Sequence, residues 1–582
     1  MDIKKESMRK LLIYLVPVLA FCLLNITSCK DESEEMPRLF RPSFIASSCF
    51  AEGNTVSLAW RTSGEATSYT VELSQDATFQ AEPAEVQTVK SNKCTFSNLR
   101  YETGYYARVR ANNEGLDIIS NWTEYTSSIR TLSRVIPKIL YAPDENLITE
   151  NSVAIAWKVS DVNPVDGVSV WLADGGQADE KHFDLSASEI SSGKYVISGL
   201  SPRSTYLVAL TNSKAPEGAE KYNQQKFTTA GMPAGAVLAT DGVDLLAKIK
   251  EGMNDGSKSS LIFQLQNGVD YYLSADGLPA SSTGDIKLTK SIAFLANPGE
   301  RPTLYIRKGG FIIKPEVNNI PEIEYFVVEN VNVKEPVVAG GSGGSKTRLL
   351  NIGKHDAGTD ITIDRFEIRN SDVVLPSSVL MMNDASDGMT TINHIRIDNC
   401  RVTGVNDTKY VTKQFGFIHA INKGSNVWND VSVSNSTFYE FYISPGVFGA
   451  LTAGVPAAAD SKVSISNCTF YNWATSKAAY TAIGNFSKLS TPLSLSVSGC
   501  VFGYSAGKAL DPGACNLTAK NNYCTTDFEQ ASGTGLSLID LGLSDSSFFR
   551  NAKENDFTVI DFESVVYTQE YGDPHWITVQ EY

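Results

Sequence analysis

The stretch "SKVSISNCTFYNW", Ser461 to Trp473, has near-copies elsewhere in the chain: "NDVSVSNSTFYEF" at 429–441, "LSLSVSGCVFGYS" at 493–505 and "NHIRIDNCRVTGV" at 393–405. Each copy is a short alternating strand, an Asn or Gly, a Cys or Ser, and a second short strand. Aligned on the Asn, the phrase recurs at Asn330, Asn370, Asn399, Asn435, Asn467, Gly499 and Asn521, with spacings of 40, 29, 36, 32, 32 and 22 residues. Units of this length cannot bury an apolar face alone and must stack on one another. A propeller blade needs four strands and a near-fixed period. Here each period holds about three very short strands and loops of varying length. The expectation is a coil whose turns stack at about 4.8 Å.

Stacking turns repeated positions into columns. Ile368, Ile397, Val433, Ile465 and Val497 are expected in one inward column. Cys400, Cys468 and Cys500 are expected in a second column after the bend, as small apolar residues, with Ser371 and Ser436 at the same step. The Asn must turn the backbone sharply, and Asn tolerates left-handed geometry. Asn370, Asn399, Asn435 and Asn467 are expected to bond amide to amide as a buried ladder, since an orphaned buried donor costs about 1–3 kcal/mol. Gly499 keeps the backbone role and loses the amide. Upstream, "DGVDLLAKIKEG" at 241–252 reads as a helix stopped by Gly252, placed to plug the open first coil.

This pattern resembles the pectate-lyase-like right-handed parallel β-helix superfamily, over about residues 239–582. "IAFLANPGERPTLYI" at 292–306 looks like an early coil of such carbohydrate lyases, and "YGDPHW" at 571–576 resembles a terminal motif of Bacteroides-type lipoproteins that place fibronectin domains before a β-helix. That fold carries lyases, hydrolases, esterases and binders alike.

Two segments ahead of the coil alternate differently. "NTVSLAWR" and "SYTVELSQD" are short amphipathic strands, followed by Leu99, Tyr101 and Tyr105 and by the "S-x-W" of Ser120 and Trp122. They resemble a fibronectin type III sandwich over 38–133. Trp157 and "ISGLSPRSTYLVAL" at 197–210 repeat the pattern over 134–231. The expectation is two spacers lifting the coil off a membrane. The fold class expected is therefore all-β: two fibronectin type III-like sandwiches and a parallel β-helix with an N-terminal capping helix.

The first 28 residues read as a secretory signal: Lys4, Lys5, Arg9 and Lys10, then an apolar run from Leu11 to Leu24. Ile26-Thr27-Ser28-Cys29 resembles the bacterial lipobox, which implies lipidation at Cys29 and an anchor in the outer membrane. The acidic run after it, within 29–37, is a solvated tether and resembles a surface-export tag. Net charge is −15, and −17 without the +2 leader. That disfavours nucleic acid, whose binding needs many Lys and Arg contacts. Nine Cys without a CxxC give no zinc spacing.

In the resembled superfamily the cleft lies over the strand after the post-Asn strand. Outward polar candidates there are Arg348, Asn351, Asn383, Asp384, His419, Asn422, Lys423, Asn485, Lys508 and Asp511. A uronate lyase must neutralise a carboxylate and take the C5 proton. Arg348, His419 and Lys423 are the catalytic candidates, and Asp384 and Asp511 the metal candidates if calcium is used. Asn351, Asn383, Asn422, Tyr442, Trp473, Asn485 and Lys508 are the glycan-contact candidates, aromatic faces stacking on sugar rings. Phe438 and Phe470 are expected inside the core. The polygalacturonase motifs do not appear, and no GxSxG, HExxH or P-loop pattern stands out. The function expected is a lipid-anchored, surface-exposed binder of a pectin-like polysaccharide, working with outer-membrane glycan-uptake proteins. A lyase on the same face is the alternative, and a structural or adhesive surface protein the next.

Overall fold

The computed structural model describes residues 38–62, 64–274, 276–338, 347–375, 378–382, 388–404, 416–420, 426–440, 447–449, 461–473, 481–487, 489, 492–530 and 535–580. The signal, Cys29 and the acidic tether lie outside the described residues, as do Asn383, Asp384, Asn422, Lys423 and Tyr442.

The chain is all-β and divides into two compact units. The first holds one sandwich. In Thr55–Arg61 every second residue is buried, and Val56, Leu58 and Trp60 face the core. Trp60 meets Tyr69 edge to face at 5.3 Å. The hydroxyl of Tyr105 accepts the Arg100 N–H at 3.1 Å, fixing the corner before its strand. Ser120 Oγ accepts the Ala111 N–H at 2.9 Å, and the Trp122 ring is flanked by Arg108 and Arg110 at 4.4 and 4.5 Å. The "S-x-W" therefore fastens the last strands to this sandwich.

The second unit holds another sandwich and three parallel sheets. In the sandwich, Ser152–Ala156 pairs with Lys194–Ser198, and a four-stranded sheet covers them. Tyr206 repeats the corner bond, its hydroxyl accepting the Ser201 N–H at 2.9 Å.

From Val237 on, the chain visits three sheets in rotation. Ser260–Leu265 lies in the first, Asp270–Tyr272 in the second and Gly284–Lys287 in the third; Lys290–Leu295, Thr303–Tyr305 and Gly309–Ile313 then pair with them in the same order, all parallel. The first two sheets reach ten strands each and the third six. One continuous apolar core runs inside them from Ala239 to Leu536. Ile368, Ile397, Val433, Ile465 and Val497 are in direct register and buried. Each such side chain contributes about 1.5–3 kcal/mol by leaving water.

At every copy of the phrase the Asn is left-handed: φ is 55° at Asn330, 51° at Asn370, 54° at Asn399, 50° at Asn435, 49° at Asn467 and 56° at Asn521, with 64° at Gly499. The next residue points inward and closes the bend. Ser371, Cys400, Ser436, Cys468 and Cys500 each donate to the carbonyl two residues back, at 2.7, 3.3, 2.6, 3.3 and 3.6 Å. The Cys column is thus a column of donors as well as a packing column. The buried amide ladder is corrected. Asn399 is exposed, and Asn370, Asn435 and Asn467 are half-buried. Asn399 does bond to Asn370 at 2.9 Å, but Asn435 donates to Asp398 at 2.8 Å. The bend turns the amide toward solvent, so each Asn is selected for its backbone first.

Three further features differ from expectation. The helix is Leu245–Asn254, and Gly252 lies inside it rather than ending it. A Cβ there would meet Leu261 Cδ2 at 2.6 Å, so Gly252 allows close approach to the first coil. The second sandwich is docked on the parallel sheets, not held away from them. Arg203 pairs with Glu329 at 3.2 Å, Glu145 with Arg301 at 3.2 Å, and Lys226 with Asp398 at 3.5 Å. Finally, a second core is built from the C-terminal segment. Phe548, Phe549, Phe557, Val566 and Trp576 cover the outer face of the second sheet at Tyr471, Val501 and Tyr523.

Candidate functional site

The third sheet carries the sequence-predicted polar residues in one line. Register pairs Ile312 with Asn351, Asn351 with Met381, Met381 with His419, and His419 with Gly449. Phe448 then pairs with Gly484, and Asn485 with Asp511. From Asn351 to Asp511 the row thus reads Asn351, Met381, His419, Gly449, Asn485 and Asp511, one residue per coil. Their neighbours Leu350, Ile352, Ile418 and Ala420 face the core, so period-two alternation points the row away from that core, with His419 itself buried.

Two cations stand three residues ahead of the row, Arg348 before Asn351 and Lys508 before Asp511. Arg348 is half-buried, and burial lowers its pKa while Asp285 opposes the shift. Asp285, absent from the sequence-derived candidates, pairs in register with Gly310 on the adjoining coil. Nothing in "TGDIK" marks it, because its relation to Arg348 exists only across coils. Lys508 Nζ lies 3.8 Å from Asp511 Oδ2.

His419 is 2% exposed, and its Nδ1 accepts the Gly416 N–H at 3.1 Å. Burial, aided by the Arg348 charge, depresses its pKa to about 4. The imidazole is neutral at pH 7, and it is too weak a base to take a carbon-bound proton readily.

Asp511 is committed elsewhere: besides Lys508, its Oδ1 accepts the Gly513 N–H at 3.3 Å. Asn485 is exposed and accepts from Ser487 N and Oγ at 2.9 and 2.6 Å. Among the described residues, no three of His, Cys, Asp and Glu gather as a metal-holding group.

The aromatic candidate on the described surface is corrected. Trp473 is 1% exposed and packs at 5.2 Å on Phe528 and 6.0 Å on Phe502. Its place beside a loop among other aromatics suggested a contact surface, but the ring turns into the core there. Trp428 is also buried, its Nε1 donating to Met382 Sδ at 2.9 Å. Phe438 and Phe470 stack at 5.4 Å within the core.

Residues 42–131 match the fibronectin type III domain family. Among solved structures, the FN1–FN3 domains of chicken CNTN1 are 13% identical with a TM-score of 0.16, covering 34% of this chain and 69% of that one. A two-domain fibronectin type III segment of chicken tenascin is 19% identical with a TM-score of 0.19, covering 34% of this chain and all of that one. No curated protein matches the chain. The family match names the first sandwich.

Proposed function

We propose that this protein is a lipid-anchored glycan-binding protein of a bacterial outer surface, with the three parallel sheets forming the walls of a right-handed β-helix. The observation that carries this reading is the row Asn351, His419, Asn485 and Asp511, flanked by Arg348 and Lys508. A row with polar groups on four of the six coils from Asn351 to Asp511 suits an extended polymer lying along the coil axis. Amides and hydroxyl acceptors would fix sugar hydroxyls, and the cations favour a uronate-containing, pectin-like chain. Cys29 supplies the membrane anchor, and outer-membrane glycan-uptake proteins are the partners the reading calls for.

The depressed basicity of His419 favours binding over chemistry. A β-eliminating lyase is the second reading, supported by the placement of Arg348 within electrostatic reach of His419. Asp511 is the described carboxylate that would hold calcium, which would neutralise a uronate carboxylate, and it would have to give up Lys508 to do so.

Affinity electrophoresis of the full mature chain in polygalacturonate and in neutral glycans, with and without calcium, tests the proposal. Retardation that Asn351→Ala with Lys508→Ala abolishes supports it. Unsaturated product absorbing in the ultraviolet would select the lyase. Unretarded migration in every glycan would leave the structural or adhesive reading.

A further inference from the structure

The "YGDPHW" segment has no part in the glycan row, yet nearly every residue of it is bonded. Tyr571 lies over Tyr523 with ring centroids 5.4 Å apart, and its hydroxyl accepts from Asn521 Nδ2 at 2.6 Å. The Gly572 N–H donates to the Gly499 carbonyl at 2.7 Å. At φ +78°, a Cβ on Gly572 would press on Thr469 Oγ1 and Val501 Cγ2 at 3.0 and 3.1 Å, so glycine is required. The Asp573 N–H donates to Thr469 Oγ1 at 3.0 Å. The Asp573 carboxyl, 2% exposed, accepts from Thr437 Oγ1 at 2.6 Å and from the His575 N–H at 2.9 Å. Trp576 Nε1 closes the circuit on Thr437 Oγ1 at 2.7 Å.

The same segment grips the second sandwich on its other side. Lys138 Nζ reaches Glu570 Oε1 at 2.5 Å and lies 5.4 Å from the Tyr567 ring. Lys158 Nζ donates to the Gln580 carbonyl at 2.9 Å. The Lys138 side chain is 3% exposed and that of Glu570 49%, so the pair stands at the rim of this contact.

We propose that residues 565–580 are a pH-sensitive latch, with the Asp573 carboxyl as its catch, that holds the second sandwich on the parallel sheets. This is independent of the glycan reading. The charged groups facing Asp573 are Arg401 and Asp398 from the sheets, and from the latch itself the carboxyl meets the His575 backbone N–H. Thr437, Thr469 and Cys468 face it as neutral groups. Burial raises the Asp573 pKa to about 7, helped by Asp398 and opposed by Thr437, His575 N–H and Arg401. His575 is shifted downward and does not titrate above 7. A carboxyl raised in the folded state stabilises it when protonated. That contribution is complete below the unfolded value of about 4 and lost as pH rises through 7.

Hydrogen exchange of the full chain between pH 5.5 and 8.5, corrected for intrinsic rates, tests this. Protection of peptides spanning Tyr571–Trp576 is expected to fall about tenfold per pH unit up to about 7 and to level off above it. Asp573→Asn, a neutral isostere, is expected to flatten the profile. Glu570→Gln is expected to lower protection in the second sandwich without changing the slope. A flat wild-type profile, or an unchanged slope in Asp573→Asn, overturns the catch. Unchanged sandwich protection in Glu570→Gln overturns the latch. Should Asp573→Asn fail to accumulate, the wild-type profile decides.

Discussion

Asn399 Nδ2 donates to Asn370 Oδ1 across 2.9 Å, joining two coils at bends 29 residues apart. Both residues are left-handed, and the bond is available because both turn the same way. A left-handed backbone costs most L-residues about 1–2 kcal/mol, and Asn offsets part of that through local hydrogen bonding. Asn399→Ala is expected to lower stability by about 1–2 kcal/mol, and Asn399→Gly by less, because glycine removes the strain but keeps no amide. Urea denaturation of the three proteins checks this. Equal losses for Ala and Gly would assign the cost to the amide instead.

The donor column gives a second expectation. Cys468 occupies the step that Ser371 and Ser436 fill with hydroxyls. Cys468→Ser should keep the bond to the Ser466 carbonyl and cost within about 1 kcal/mol. Burial holds the Cys468 thiol well above its ordinary pKa and pushes Cys400 up to about 12. Both thiols should resist alkylation at pH 8 until denaturant is added, as measured by mass increase.

His419 links acid stability to the candidate site. Its folded pKa of about 4 lies below the usual 6.5. Protonation therefore favours unfolding: the stability is complete above 6.5 and lost as pH falls toward 4, by up to about 3 kcal/mol. Asp573 acts in the opposite direction below pH 7, so the difference between wild type and His419→Gln is the informative quantity. The stability of wild type relative to His419→Gln, read from denaturation midpoints, should be lower at about pH 4.5 than at about pH 7.

Trp473 separates core from contact surface. Trp473→Ala should cost about 3–5 kcal/mol as a cavity. Trp473→Phe should cost less and leave glycan retardation intact. Loss of binding in a folded Trp473→Phe protein would return the ring to the contact surface.

The repeated phrase made the sheets legible because one inward residue per coil repeats in kind. Ile465 and its column follow from alternation alone, and the left-handed Asn follows from the bend. The donor role of Ser371 and Cys400 did not follow, since a carbonyl two residues back is a three-dimensional partner. Residues around Asp545 and Phe557 lack the phrase, and their aromatic packing depends on the sheet they cover. The docking of Glu145 against Arg301 and of Arg203 against Glu329 was equally hidden, because those charges are far apart along the chain. Of the candidate site, the row was legible from strand parity, while Trp473 was misread because a place beside a loop does not say which way a ring turns.

Thr437 and Asp573 are bonded although 136 positions separate them. A chain emerging from its N-terminal side completes that coil's strands long before the residue that seals them is available. Tyr471 and Tyr523 stay wet in the interval, and loop closure over that distance is slow. Sealing of the coil should therefore follow synthesis of the whole chain rather than accompany it.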